Sequence, residues 1–186
     1  MEDCSFMDVF ECIKERRSIR DFEDTAVPHA LIEEIIGAAA FAPSWKNGQI
    51  ARYIVVENRD NIDLLAEQCV MGFASNTAVM KRAAALVLVT MVSGRSGFER
   101  DGSFSTSKGD RWEMFDAGIA TQTFCLAAHA KGLGTVIMGV FDEHKVEELF
   151  GLPDGQKLAA IVALGYPKSP AVAPRRKGVE ELVSYR

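Results

Sequence analysis

The chain has 186 residues, of which 48% are hydrophobic and 25% are charged, a composition typical of a globular protein rather than of a disordered chain. Its length fits one domain, which we expect to cover residues 1–186. The formal net charge of −5 argues against nucleic acid or an anionic membrane surface as a partner. The sequence shows no apolar run of about 18 residues and no signal-peptide pattern, so we expect a cytoplasmic protein with no membrane partner.

The predicted elements mix amphipathic helices with apolar strands. The pattern predicts helices over residues 5–15 (capped by Ser5), 28–40, 60–70, 111–131 and 143–150, and strands over residues 51–57, 84–92, 135–138 and 158–164. Two helices come first and strict βαβ alternation is missing, so we predict an α+β sandwich with a central sheet between helices. The polar stretch 93–110 is the longest irregular segment and is predicted to be a mobile lid.

Arginines cluster directly after the first predicted helix, at Arg16, Arg17 and Arg20, with Ser18 between them. Three guanidinium groups within five residues repel one another unless an anion neutralises them. Because arginine binds phosphate through two parallel hydrogen bonds, the cluster predicts a phosphate site. The alternative is a solvated basic turn that faces the C-terminal end of a helix dipole.

A second basic cluster lies near the C-terminus, at Arg175, Arg176 and Lys177. Basic residues in such a position are often simply solvated, and that alternative stays open here. The two clusters are far apart in the sequence, but the fold could bring both of them to a single phosphate.

The segment 42–49 is a third feature, with Pro43, Ser44, Asn47 and Gln49 after the second predicted helix. These residue types offer turn geometry and side-chain hydrogen bonds to a ligand, although an ordinary helix-to-strand loop uses them too. No GxSxG, HExxH or CxxC motif is present, so neither hydrolase chemistry nor a metal site is expected. Ligand-binding groups without acid–base residues indicate a protein whose cofactor carries the chemistry.

Taken in chain order, these segments resemble the nitroreductase family of FMN-dependent flavoproteins. The resemblance rests on RRSIRDF at 16–22, APS at 42–44 with Asn47 and Gln49, DAGIA at 116–120, GLG at 132–134, GLP at 151–153 and ALGYP at 163–167. It implies an α+β nitroreductase-like sandwich with a mostly antiparallel sheet. It also implies an intertwined homodimer in which a C-terminal arm, about residues 167–186, wraps the partner subunit and two FMN molecules lie at the interface.

The resemblance assigns residues to each part of the FMN. The phosphate and ribityl chain are assigned to Arg16, Arg17 and Ser18, and to Arg176 together with Arg175 or Lys177. The pyrimidine end of the ring is assigned to Arg20, as an electrostatic stabiliser of the reduced flavin, and to Asn76. The remaining surface is assigned to Pro43, Ser44 and Asn47 of the partner subunit, with Gln49 nearby, and to Ile137, Met138 and Gly139, which offer a backbone N–H to N5.

The activity implied by the resemblance is an FMN-dependent oxidoreductase. Electrons would pass from NADH or NADPH through FMN N5 to nitroaromatic, quinone or related conjugated acceptors, in ping-pong order. Two alternatives stay open. One is a specialised flavin enzyme of the same fold, for enone reduction, dehalogenation or flavin degradation, and the other is a flavin-binding protein without catalysis.

Overall fold

The structure is a computed structural model that describes residues 7–186. Within these residues the chain forms six α-helices and four β-strands. The helices are α1 (Val9–Glu15), α2 (His29–Ala39), α3 (Arg59–Gln68), α4 (Ala74–Met80), α5 (Arg111–Ala130) and α6 (Glu143–Phe150), and the strands are β1 (Ala51–Val56), β2 (Ala85–Val92), β3 (Gly134–Met138) and β4 (Gln156–Gly165).

The four strands form one sheet in the order β1-β2-β4-β3, in which every neighbouring pair is antiparallel. The central strand β2 is buried along nearly its whole length and β4 is buried from Ala160 onwards, as their apolar sequences predict. The predicted α+β class and the mostly antiparallel sheet are therefore confirmed.

Helices cover both faces of the sheet, and side chains alternate between the two layers along each strand. On β2, Leu86 and Leu88 belong to the core beneath α3, α4 and α6, whereas Val87 and Val89 belong to the core beneath α2 and α5. This alternation is the period-two geometry of an extended chain. The two cores fix the sheet, and the sheet edges and connecting loops are left to carry the candidate site.

Most predicted elements end within two residues of the observed ones, and the structure differs further from the prediction in two places. Helix α4 was not predicted, because its seven residues are too short to show a clear 3.6-residue period. The first helix begins at Val9, and Asp8 caps it by accepting a hydrogen bond from the Phe10 N–H at 2.9 Å. Ser5, which was predicted as the cap, lies outside the described residues.

Within residues 7–186, no helix combines the length and the apolar character needed to cross a membrane.

Candidate functional site

The segment 16–20, hereafter the arginine segment, extends the sheet beyond β3. Ser18 pairs with Thr135 in a parallel bridge, and the Ile19 N–H donates to the Thr135 carbonyl at 2.9 Å. A Cβ atom at Gly134 would lie 2.6 Å from Ile19 Cγ1, so the glycine permits this close approach. The parallel direction carries Arg20 towards the Ile137 end of β3, and the pairing holds the whole arginine segment at this edge of the sheet.

The two predicted basic clusters meet at this edge. A cavity of 440 Å³ is lined by Arg16, Arg17, Ser18, Arg20 and Arg176, with Ala171, Val172 and Pro174. Arg176 is thus the member of the C-terminal triplet that lines the cavity, although Arg175, Arg176 and Lys177 are all exposed. Four guanidinium groups around one cavity form a strongly positive site that favours an anionic ligand.

Arg17 and Arg16 differ in whether their guanidinium groups already have hydrogen-bond partners. Arg17 Nη1 donates to the carbonyls of Lys14 at 2.5 Å and Arg16 at 2.8 Å, so this side chain caps the C-terminal end of α1. The Nε atom of Arg16 is buried without a hydrogen-bond partner in the described chain. A buried donor without a partner costs free energy, and a phosphate oxygen would satisfy it. The residues present therefore fit the phosphate of FMN.

The end of β3 lies near the candidate pyrimidine residue. Asn76 Nδ2 approaches the Val140 carbonyl at 3.4 Å, which places α4 beside the chain that leaves β3. Ile137 is 48% exposed and Gly139 is exposed, whereas the Met138 side chain is buried in the core. Of Met138, only the backbone can therefore face a ligand here.

The turn at residues 44–49 lines a different cavity. Pro43, Ser44 and Gln49 line a space of 340 Å³ that lies between α2, β1 and α5 and also reaches Tyr53. Burial raises the pKa of Tyr53 to about 12, and its hydroxyl has no hydrogen-bond partner among the described residues. The arginine segment and this turn are thus two separate parts of the chain surface.

Three residues of the turn adopt left-handed backbone geometry, with φ of 47° at Lys46, 54° at Asn47 and 46° at Gln49. Non-glycine residues adopt such angles at a cost, and they persist where other contacts hold them. Two of those contacts are local, because the Gln49 N–H donates to Ser44 Oγ at 2.9 Å and the Gly48 N–H donates to the Trp45 carbonyl at 2.8 Å.

The stretch 93–110 has neither helix nor regular strand, as predicted, but it is bonded internally. Phe98 and Phe104 pair in an antiparallel bridge with ring centroids 5.0 Å apart. Glu99 accepts hydrogen bonds from Ser105 Oγ and Lys46 Nζ, which together hold the pKa of this carboxyl below its usual range. The loop is thereby tied to the 44–49 turn, and its role as a mobile lid stays a prediction.

Sequence analysis missed two functional candidates at this junction, Asp116 and Ser96. Asp116 Oδ2 accepts from the Trp45 N–H at 2.9 Å and from Ser96 Oγ at 2.5 Å, and both side chains are buried. The available signal was a pair of carboxylates, Glu113 and Asp116, three residues apart on the predicted long helix. That spacing places both on one helix face. If that face is buried, the carboxylates need hydrogen-bond donors to offset the cost of burying them.

Comparison with known proteins assigns the chain to a family. The sequence profile of the Nitroreductase family matches residues 13–166. The chain belongs to the Nitroreductase family.

Individual relatives agree with this family assignment. A protein of Methanothermobacter thermautotrophicus with the provisional name NADH dehydrogenase/NAD(P)H nitroreductase is 36% identical, over 88% of this chain and 79% of its own. The crystal structure of a nitroreductase family protein from Clostridium novyi NT is 30% identical with a TM-score of 0.75, covering 87% of this chain and 86% of that one. A crystal structure described as an oxidoreductase containing FMN is 26% identical with a TM-score of 0.71, covering 87% and 78%.

Proposed function

We propose that this chain binds FMN and uses NADH or NADPH to reduce nitroaromatic, quinone or related conjugated acceptors. The observation that carries the proposal is the 440 Å³ cavity where Arg16, Arg17, Arg20 and Arg176 converge, with the Arg16 Nε donor unpaired. Guanidinium groups arranged in this way bind phosphate well. Membership of the Nitroreductase family and the likeness to a solved oxidoreductase that contains FMN favour the FMN phosphate over other anions.

The residues of the chain then have distinct roles. Arg16 and Arg176 bind the phosphate, and Ser18 lies where the ribityl chain follows. When bound, FMN supplies the redox chemistry, with hydride taken at N5 from the nicotinamide and electrons given to the acceptor. Arg20 holds a positive charge for the negatively charged reduced ring, and its carbonyl accepts a hydrogen bond from Arg82 Nη2 at 3.3 Å.

The kinetic order follows from a shared binding place. We propose that the nicotinamide and the electron acceptor stack on the same exposed face, so that NAD(P)⁺ leaves before the acceptor binds. Ping-pong kinetics are then expected, with parallel double-reciprocal plots when donor and acceptor concentrations are varied. Intersecting plots would show that both substrates bind together and would reject the shared place.

We further propose that the functional unit is a homodimer. Helices α1 and α5 pack together, with Cys12 Sγ 3.4 Å from the Leu126 carbonyl, and both expose large apolar side chains. Phe10 is 67% exposed on α1, and Phe115 is 58% exposed on α5. A second copy would cover this face and bring its own 44–49 turn to the arginine cavity of the first.

The C-terminal arm supports the same arrangement. Residues 167–186 contain only one turn of 3₁₀ helix, Val179–Glu181, and expose Val172, Leu182 and Tyr185 to solvent. Apolar side chains along an extended segment gain free energy when another surface buries them. An arm that wraps the partner subunit would provide that burial.

The deciding experiment is the visible spectrum of the purified protein before and after NADH under anaerobic conditions. We expect the two absorption bands of a bound flavin, and bleaching of the longer-wavelength band within seconds of NADH addition. A yellow protein that neither NADH nor NADPH bleaches would identify a flavin-binding protein without reductase activity. A colourless protein that takes up no added FMN would reject the proposal.

A further inference from the structure

The strained turn at residues 44–49 is held from outside by one buried carboxylate, Asp116, and by two exposed contacts: Lys46 Nζ donates to Glu99 at 3.1 Å, and Arg52 Nη1 donates to the Gln49 carbonyl at 2.7 Å. Left-handed φ angles at Lys46, Asn47 and Gln49 need contacts that over-determine the backbone. The local hydrogen bonds close the turn on itself but do not fix it to the rest of the fold. Asp116 provides the buried contact to the rest of the fold, because its Oδ2 atom accepts the Trp45 N–H at 2.9 Å where the turn begins.

Asp116 also reaches the second irregular segment of the site. The same Oδ2 atom accepts a hydrogen bond from Ser96 Oγ at 2.5 Å, and Ser96 is completely buried near the start of the 93–110 loop. The Asp116 side chain is itself almost completely buried, on the face of α5 that points into the protein. A buried charge is costly unless hydrogen bonds satisfy it, so the two bonds stabilise the carboxylate as well as the turn.

Aromatic side chains also pack the turn against α5. The rings of Trp45 and Trp112 lie with centroids 4.8 Å apart and planes tilted by 46°, and Trp112 packs edge-on against Phe115. Trp112 Nε1 donates to Thr106 Oγ1 at 3.1 Å, which ties the end of the 93–110 loop to the same helix. The carboxylate therefore lies where the turn, the loop and the long helix join.

We propose that Asp116 is a positioning residue, which holds the 44–49 turn in its strained conformation for the flavin and couples this turn to the 93–110 loop through Ser96. The proposal depends on the proposed function for the identity of the ligand. The conformation that it assigns to the turn can be measured without any flavin.

The test compares D116N with E113Q. D116N keeps the shape of the side chain but removes the charge. E113Q makes the same kind of change at Glu113 and is the matched control. Glu113 is also a buried carboxylate of α5, but its Oε1 accepts from the Gly94 N–H at 2.6 Å and not from the turn. Two readouts are measured on each variant: the circular dichroism of the apoprotein, and the dissociation constant of FMN from flavin fluorescence.

The first readout uses the two tryptophans of the chain, Trp45 and Trp112. Indole rings at their separation and tilt couple their electronic transitions and give a pair of circular-dichroism bands of opposite sign. We expect D116N to lose at least half of this signal and to bind FMN about 10-fold more weakly, because the amide oxygen accepts the same two hydrogen bonds without the assistance of a charge. E113Q should keep the signal and bind FMN within about twofold of wild type.

The outcomes separate the two proposals. If D116N keeps both the paired bands and the FMN affinity, or loses affinity while the bands stay intact, Asp116 does not position the turn. A wild-type protein that binds no FMN rejects the proposed function, and the bands of D116N then still decide whether Asp116 holds the turn. If D116N does not fold, S96A decides, with a partial loss of bands and affinity expected and unchanged values overturning the proposal.

Discussion

The two parts of the proposed flavin site are built on different physical principles. The arginine segment is fixed through its backbone, by the pairing of Ser18 with Thr135, and its charged side chains are left partly unsatisfied. The 44–49 turn differs in both respects. Its backbone is strained, and most of its N–H groups already donate hydrogen bonds within the protein, including the bond from Trp45 to the buried Asp116.

This difference assigns charge to one part and shape to the other. A cavity with four guanidinium groups attracts phosphate groups of any kind, and this attraction falls as the salt concentration rises and screens the charges. A turn held in one strained conformation is preorganised and recognises a surface that matches it. Affinity for the phosphate and fit to the ring should therefore be separable by mutation.

The largest effect is expected from removing charge. The double substitution R16A/R176A should weaken FMN binding by about 100-fold or more, because each hydrogen bond to a charged group contributes about 1.5–3 kcal/mol. Riboflavin, which has the ring but no phosphate, should bind the variant and the wild type equally. Fluorescence titrations with the two flavins measure both constants, and K177A, which changes an exposed member of the same C-terminal triplet, is the control.

Equal losses of FMN and riboflavin affinity in R16A/R176A would contradict the division between charge and shape. A loss in K177A as large as in the double variant would show that general positive charge, rather than the cavity itself, attracts the ligand.

The second prediction concerns the separation of the two parts within one chain. They line different cavities, and in the proposed homodimer a second copy brings its turn to the arginines. F115E places a charge on the exposed apolar face of α5 and should weaken the dimer by about 30-fold, the effect of losing about 2 kcal/mol at an interface hot spot. Sedimentation at several concentrations measures the dimer constant, and H144E on the exposed side of α6 is the control.

Monomeric F115E should lose affinity for riboflavin more than R16A/R176A does, because it keeps the arginines and loses the turn of the partner. A monomeric wild-type protein that binds FMN tightly would show that one chain contains the whole site.

Much of this architecture was predictable from the sequence, because it depends on local patterns. The strands β2 and β4 are continuous apolar runs, and the proposed phosphate site is a cluster of like charges that an anion would neutralise. The convergence of Arg176 with Arg16 was predicted only as a possibility, since no local pattern reports a contact between residues 160 positions apart. The resemblance to a family supplied that link.

The role of Asp116 was not predictable in the same way. Its position on the long helix is visible in the sequence, but its partners Trp45 and Ser96 lie on two loops without a regular period. The left-handed angles at Lys46 and Gln49 were equally hidden, because neither residue type favours that conformation. Tertiary contacts decide such positions, and single-sequence patterns do not record them.

The third prediction tests how the arginine segment is fixed. In G134A the new Cβ would lie 2.6 Å from Ile19 Cγ1, so the segment has to move away from β3. We expect a loss of about 1–3 kcal/mol in the free energy of unfolding, which is the usual cost of overpacking, together with weaker FMN binding. Urea denaturation measures the first and fluorescence titration the second.

The matched control is G37A, the same substitution on the exposed side of α2, where a Cβ meets no other atom within 4 Å. It should stabilise the protein by about 0.5–1 kcal/mol, because alanine is the better helix former. If G134A were as stable as G37A, the close approach of Ile19 would not be what holds the arginine segment.

The smallest effect is a change in the titration of His129, which lies beside the arginine segment in a cavity of 530 Å³. Burial lowers the pKa of His129, and the charges of Arg16 and Arg17 lower it further, against the opposing effect of Glu15. The folded protein therefore binds this proton less readily than the unfolded chain, so the His129 contribution to stability is present above about pH 6.5 and is lost as the pH falls through the lowered value.

A phosphate bound to the arginines adds negative charge near His129 and should raise its pKa towards the ordinary value. Nuclear magnetic resonance titration of the three histidines, with and without FMN, measures this shift, and His144 on α6 serves as the internal reference. In the protein without flavin, R16A should raise the pKa of His129 as well, because it removes one of the two positive charges. An FMN-bound protein whose His129 titrates as in the free protein would place the phosphate away from the arginine segment, and the division of the site into a charged part and a shaped part would then be wrong.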